Sequence, residues 1–88
     1  MFFIVLGKYK VKPTKEVNAQ STKGFEKMAQ EGVKFIWQYW TLGRYDFVAV
    51  AEAKDEKTIM KAELPWSDMV STETLVAIPR EEAIKLVQ

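Results

Sequence analysis

No cysteine and no histidine occur among the 88 residues. The first absence excludes disulfides and thiol nucleophiles, and it fits a reducing interior and a cytoplasmic location. The second removes the commonest general base, metal ligand and axial haem ligand, so haem chemistry is not expected. Charge of one sign is also missing: thirteen basic residues stand against twelve acidic ones, a net charge of +1 with no block of like sign. Neither nucleic acid nor an anionic membrane has an electrostatic footprint to bind. Apolar runs are short, none near the roughly 18 residues of a membrane span. The opening Met1 to Gly7 lacks a basic start and runs into Lys8, Lys10 and Lys12, so it reads as a strand and not as an export signal. Carboxylates show no metal-ligand spacing, neither a D-x-D loop nor a Glu-x-x-His helix, so metal and cofactors are not expected.

Against these absences stands a heavy apolar load, 48% of the residues, with 12% aromatic. A chain this short buries only about 60 to 65% of its unfolded surface, so part of that load is expected in an interface between subunits. One domain, residues 1–88, is expected.

Met1 to Gly7 is apolar at consecutive positions, which predicts a central strand covered on both faces. Thr14 is a candidate N-cap for a helix from Lys15 to Glu31, with Gly32 as its stop. The inner stripe of that helix, Val17, Ser21, Gly24, Phe25 and Met28, has small residues at its middle. Either a bulky sheet residue such as Trp37 or Trp40 fills the space, or a ligand cavity lies beneath the helix. Close packing makes filling the expected outcome.

Gly43-Arg44 predicts a two-residue type II′ turn between two aromatic-rich strands, Val33 to Leu42 and Phe47 to Ala53. Leu42 then faces Tyr45, Thr41 faces Asp46, Trp40 faces Phe47 and Tyr39 faces Val48. Strict alternation puts Phe35, Trp37, Tyr39 and Asp46 on one face, and Ile36, Gln38, Trp40 and Tyr45 on the other. Neither face is polar, so the hairpin is expected to be covered on both sides, by helices on one and a second subunit on the other. Downstream, Lys54 to Leu64 predicts a short helix capped by Asp55, with Ile59, Met60 and Leu64 inward and Pro65 as its stop. Trp66 to Asp68 is loop, Met69 to Ile78 a strand, and Arg80 to Val87 a last helix. The order βαββαβ with a C-terminal helix predicts an α+β, ferredoxin-like domain with a four-stranded antiparallel sheet.

Gly43-Arg44-Tyr45-Asp46-Phe47-Val48, the run Val70 to Ala77 and Glu81-Glu82 resemble the GYD domain family over nearly the whole chain. The resemblance implies a dimeric α/β barrel, two ferredoxin-like subunits packed sheet against sheet, with no settled activity. A shortened second helix at Leu64-Pro65-Trp66 departs from the family pattern.

Asp46 opens a strand, where aspartate is rare. Two roles compete: its carboxylate accepts backbone N–H bonds and locks the hairpin end, or it anchors a ligand or a proton at an aromatic pocket of Phe35, Trp37 and Tyr39. Tyr45 stands in core or interface with a wet hydroxyl, and Arg44 at the turn tip is either solvated or grips an anion. Glu73 reads as an edge-strand charge against aggregation. Tyr45, Asp46, Phe35, Trp37, Tyr39 and Arg44 are thus the candidate ligand-binding residues. The expected function is a small-molecule-binding or regulatory module for an apolar or aromatic ligand. The alternatives are a cofactor-independent monooxygenase or isomerase using Asp46 and Tyr45, which the lack of histidine disfavours, and a structural assembly subunit.

Overall fold

β1 (Phe2–Tyr9) is an inner strand of a four-stranded sheet, as its continuous apolar run requires. β3 (Phe47–Glu52) and β4 (Val70–Ala77) flank β1, and β2 (Lys34–Trp40) pairs with β3 at the edge, every pair antiparallel. This computed structural model describes residues 1–87. Helices α1 (Lys15–Gln30) and α2 (Glu56–Glu63) complete the ferredoxin-like order, and α3 (Arg80–Ala83) with a 3-10 turn over Ile84–Val87 follows β4.

Local chemistry explains the helix ends. The Thr14 hydroxyl accepts the Val17 N–H at 3.3 Å, and the Asp55 carboxylate accepts the Thr58 N–H at 2.9 Å and its hydroxyl at 2.6 Å. Those two bonds hold the Asp55 carboxyl below its ordinary range. Gly32, at φ +97°, lets the chain leave α1 and turn into β2. α2 ends at Glu63, two residues before Pro65, the residue expected to stop it. Pro65 sits in a 3-10 turn, Leu64–Trp66, whose first positions have no need of a proline N–H.

The core lies between the sheet and α1 and α2. Phe3, Val5, Ala49 and Ala51 from the strands meet Met28 of α1 and Ile59 and Ala62 of α2, with Phe3 only 1% exposed. Met60 and Leu64, expected inward, are exposed; Ala62, one turn on from Ile59, takes the inner position instead.

The β2–β3 hairpin departs from its expected form in two ways. Trp40 pairs with Phe47 and Tyr39 with Val48 as expected, and the Thr41 N–H donates to the Asp46 carbonyl at 2.9 Å. Beyond that rung the ladder stops, and Leu42 to Tyr45 form an open bend with Leu42 fully exposed and Gly43 at φ +105°. Secondly, a bulge at Ile36 shifts the register, so that Trp37 faces Val50 while Phe35 faces Ala51. One inserted residue reverses the alternation. Phe35 turns to the helix side, packing edge-on to Phe25 of α1 at 5.0 Å, while Trp37 and Tyr39 stack on each other at 6.5 Å. The grouping of Phe35 with Trp37 and Tyr39 is therefore corrected.

Among the described residues, only one face of the sheet is covered, and Trp37, Tyr39 and Leu75 on the other stand exposed. The molecule is a slab of 49 × 31 × 17 Å, and its radius of gyration of 13.9 Å exceeds the about 12 Å of a compact chain this long.

Candidate functional site

The small residues on α1 have two different fates. Gly24 lies under the indole of Trp66, so close that a Cβ there would sit 2.0 Å from Cζ2. The space is filled, as close packing predicts, but by Trp66 from the turn after α2 and not by Trp37 or Trp40. One turn earlier, Ser21 opens onto a cavity of about 600 Å³ between α1 and the sheet. Its hydroxyl donates to the Val17 carbonyl at 2.9 Å, so Ser21 contributes room and not a free donor.

Apolar side chains dominate the walls, Val5, Phe25, Met28, Phe35, Phe47 and Trp66 among them. Close to Phe47 the backbone has been cleared: the ring lies across Gly7, where a Cβ would meet Cζ at 2.0 Å. Phe47 also packs on Tyr9 at 5.6 Å, and Tyr9 meets Trp40 edge-on at 6.1 Å. Aromatic clusters thus bound the cavity at Tyr9, Trp40 and Phe47 and again at Phe25 and Phe35. Polar residues line it too, and Lys10, Asn18, Gln38 and Glu63 stand among them. Glu63, half-buried at the end of α2, accepts the Thr74 hydroxyl from β4 at 2.6 Å and 2.9 Å through its two oxygens. Burial pushes its carboxyl above the ordinary carboxylate range, and the Thr74 bond only partly opposes that.

Among the six candidate residues, Phe35 is part of the cavity wall, and Tyr39 contributes to it from β2 while stacking on Trp37. Trp37, Arg44, Tyr45 and Asp46 do not line the cavity. Asp46 instead takes the structural role: its main-chain N–H donates to Gly7 at 2.8 Å, and its Oδ2 accepts the Tyr9 N–H at 2.7 Å. The side chain prolongs the β3–β1 ladder by one acceptor just before β3 begins. Arg44 lies over the Tyr45 ring at 5.7 Å. Hydrogen bonding to the Glu73 carboxylate, then burial, raises the Tyr45 phenol above its ordinary value. Asp46 and Tyr45 are thus engaged with different partners and do not face a common substrate space. Trp66, Glu63 and Phe47, which line the cavity, were not among the candidates, and Phe25 was expected only on the inner stripe of the helix. The small residues at Ser21 and Gly24 were the available signal.

Among the described residues no group of three or more acidic or metal-binding side chains could hold an ion, and no helix is long and apolar enough to cross a membrane.

A protein of Thermus thermophilus, "Glutamine synthetase and cystathionine beta-lyase binding protein", is 42% identical to this chain over 72 residues, 80% of this chain and 70% of that protein. The family model of the GYD domain matches residues 3–87, spanning the sheet, both main helices and the Gly43 to Asp46 bend, and the chain belongs to that family.

Proposed function

We propose that this protein is a small binding and regulatory module in which an apolar or aromatic molecule occupies the cavity between α1 and the sheet. The cavity itself carries the reading: its volume of about 600 Å³ lies inside the range of small-molecule sites, and its walls are mostly apolar with polar residues among them. An enzyme would need a reacting pair at that cavity, and Asp46 and Tyr45 stand elsewhere. A cytoplasmic location accords with the absence of cysteine.

Regulation requires something to act on. The Thermus relative is named for binding two enzymes, and by analogy this chain acts through protein partners. The open face of the sheet is the surface to consider, because Trp37 and Tyr39 are each 58% exposed there. A second copy is the cover we propose, sheet against sheet, since the same face on each subunit meets the other in a two-fold pair.

The test uses indole as the probe, read by ligand-observed NMR, together with Ser21→Phe, which puts a ring into the cavity. Wild type should bind indole and Ser21→Phe should lose about tenfold or more in affinity while melting as wild type does. Equal binding by the two proteins would sink the cavity as a site. Sedimentation at micromolar concentration should show twice the 10.2 kDa chain mass, and Trp37→Glu should return it to a monomer.

A further inference from the structure

A carboxylate in a mostly apolar cavity is costly unless something satisfies it. Glu63 has one donor given by the chain, the Thr74 hydroxyl, which reaches Oε1 at 2.6 Å and Oε2 at 2.9 Å but carries a single proton. An ionised carboxylate offers about four lone-pair sites, so several face the cavity or water unmet. Lys10 and Tyr9 also line the cavity, yet no cation is among the influences on Glu63. Around the same space stand the faces and edges of Tyr9, Phe25, Phe35, Trp40, Phe47 and Trp66.

We propose that the cavity takes an organic amine, with its apolar or aromatic body against the rings of α1 and the sheet and its ammonium on the Glu63 carboxylate. The assignment rests on the cavity being a binding site, as argued above, and it adds the ligand's chemical class. An ammonium supplies both things that Glu63 lacks, hydrogen-bond donors and a counter-charge, and such charge-assisted bonds are about twice as strong as neutral ones. Aromatic walls favour the same ligand, since their faces attract cations. A carboxylic acid would bring a second negative charge beside Glu63, and an alcohol would bring a donor without charge.

Burial, which makes the Glu63 carboxyl harder to ionise, gives this recognition a pH sense. Amine binding demands the ionised carboxylate, so affinity falls as pH drops into a range somewhat above that of an ordinary glutamate.

Three probes of similar shape decide the matter: phenethylamine, 2-phenylethanol and 3-phenylpropionate, titrated calorimetrically into the intact protein at neutral pH. Phenethylamine should bind at least about tenfold more tightly than either of the others. Glu63→Gln should abolish that preference, leaving the alcohol within about twofold of its wild-type affinity. The wild-type series stands by itself even if the variant folds poorly. If the alcohol or the acid binds as well as the amine, the amine assignment is overturned and the cavity remains a site. If none of the three binds at millimolar concentration, the cavity reading falls and the assignment falls with it.

Discussion

The two faces of one sheet are built from the same strands and comparably apolar residues, yet they end in different states. On β1, Phe3 and Val5 are 1% and 3% exposed beneath the helices, whereas Ile4 and Leu6 between them are only half-buried. On β3, Ala49 and Ala51 are buried while Val48 and Val50 are not. On β3 the helix side carries alanines, which let α1 and α2 approach, while the other side carries valines that stand up from the sheet. Each face thus has its own packing logic: the covered face is finished within the chain, and the open face has the composition of a core without its second layer.

The largest expected effect separates the faces directly. Phe3→Ala should lower stability by about 3 to 5 kcal/mol in denaturant unfolding, because a fully buried ring leaves a cavity that the strands cannot close. Leu75→Ala, across β1 from Ile4 on the open face, should cost at most about 0.5 kcal/mol in dilute protein. At high concentration that cost should grow, since a second copy bound to the folded chain stabilises it by mass action. A Leu75 penalty as large as that of Phe3 at every concentration would mean that the open face is covered within the chain itself.

A smaller effect tests how the covered face is filled. Gly24→Ala places a methyl group 2.0 Å from the Trp66 ring, and the indole must leave. Alanine would otherwise favour the helix by about 1 kcal/mol. Overpacking should outweigh that and produce a net loss of about 1 to 3 kcal/mol, with Trp66 emission shifting to the red. Trp66→Leu in the same chain should recover most of the loss. A stabilised Gly24→Ala protein would show that Trp66 does not rest on α1.

The contrast between the faces was partly legible in the sequence. The element order, the central β1, the Thr14 and Asp55 caps and the register of Trp40 and Tyr39 all followed from local signals, namely apolar runs, capping residues and the Gly43 bend. The bulge at Ile36 did not. Nothing in Lys34 to Trp40 marks it, because Phe35, Ile36 and Trp37 are consecutive large apolar residues with no polar residue between them to show the shift, and the preference of Phe35 for Phe25 is set by a different element, α1. That single register shift took Phe35 away from Trp37 and dissolved the expected aromatic pocket. The true cavity was foreshadowed only by Ser21 and Gly24. Trp66 and Glu63, which complete its walls, come from a turn and a helix end whose approach to α1 and β4 is a tertiary matter.

The smallest effect concerns Asp46, whose carboxylate serves the covered face from the end of the ladder. Tyr9 lies two residues past Gly7, the last β1 residue paired with β3, where its N–H would otherwise be unmatched on that side, and Asp46 Oδ2 meets it at 2.7 Å. Asparagine retains an oxygen that can accept that bond but loses the charge that strengthens it. Asp46→Asn should therefore cost about 0.5 to 1.5 kcal/mol. A spectroscopic sign accompanies the loss: the Tyr9 phenol is held high by burial and, secondarily, by the negative charge of Asp46, so its ultraviolet titration should move to lower pH in the variant. Phenethylamine affinity should stay within about twofold of wild type, since Asp46 lines no part of the cavity. A tenfold fall in affinity with unchanged stability would reverse the assignment, placing Asp46 among the ligand's contacts and the site at the hairpin end instead of beneath α1.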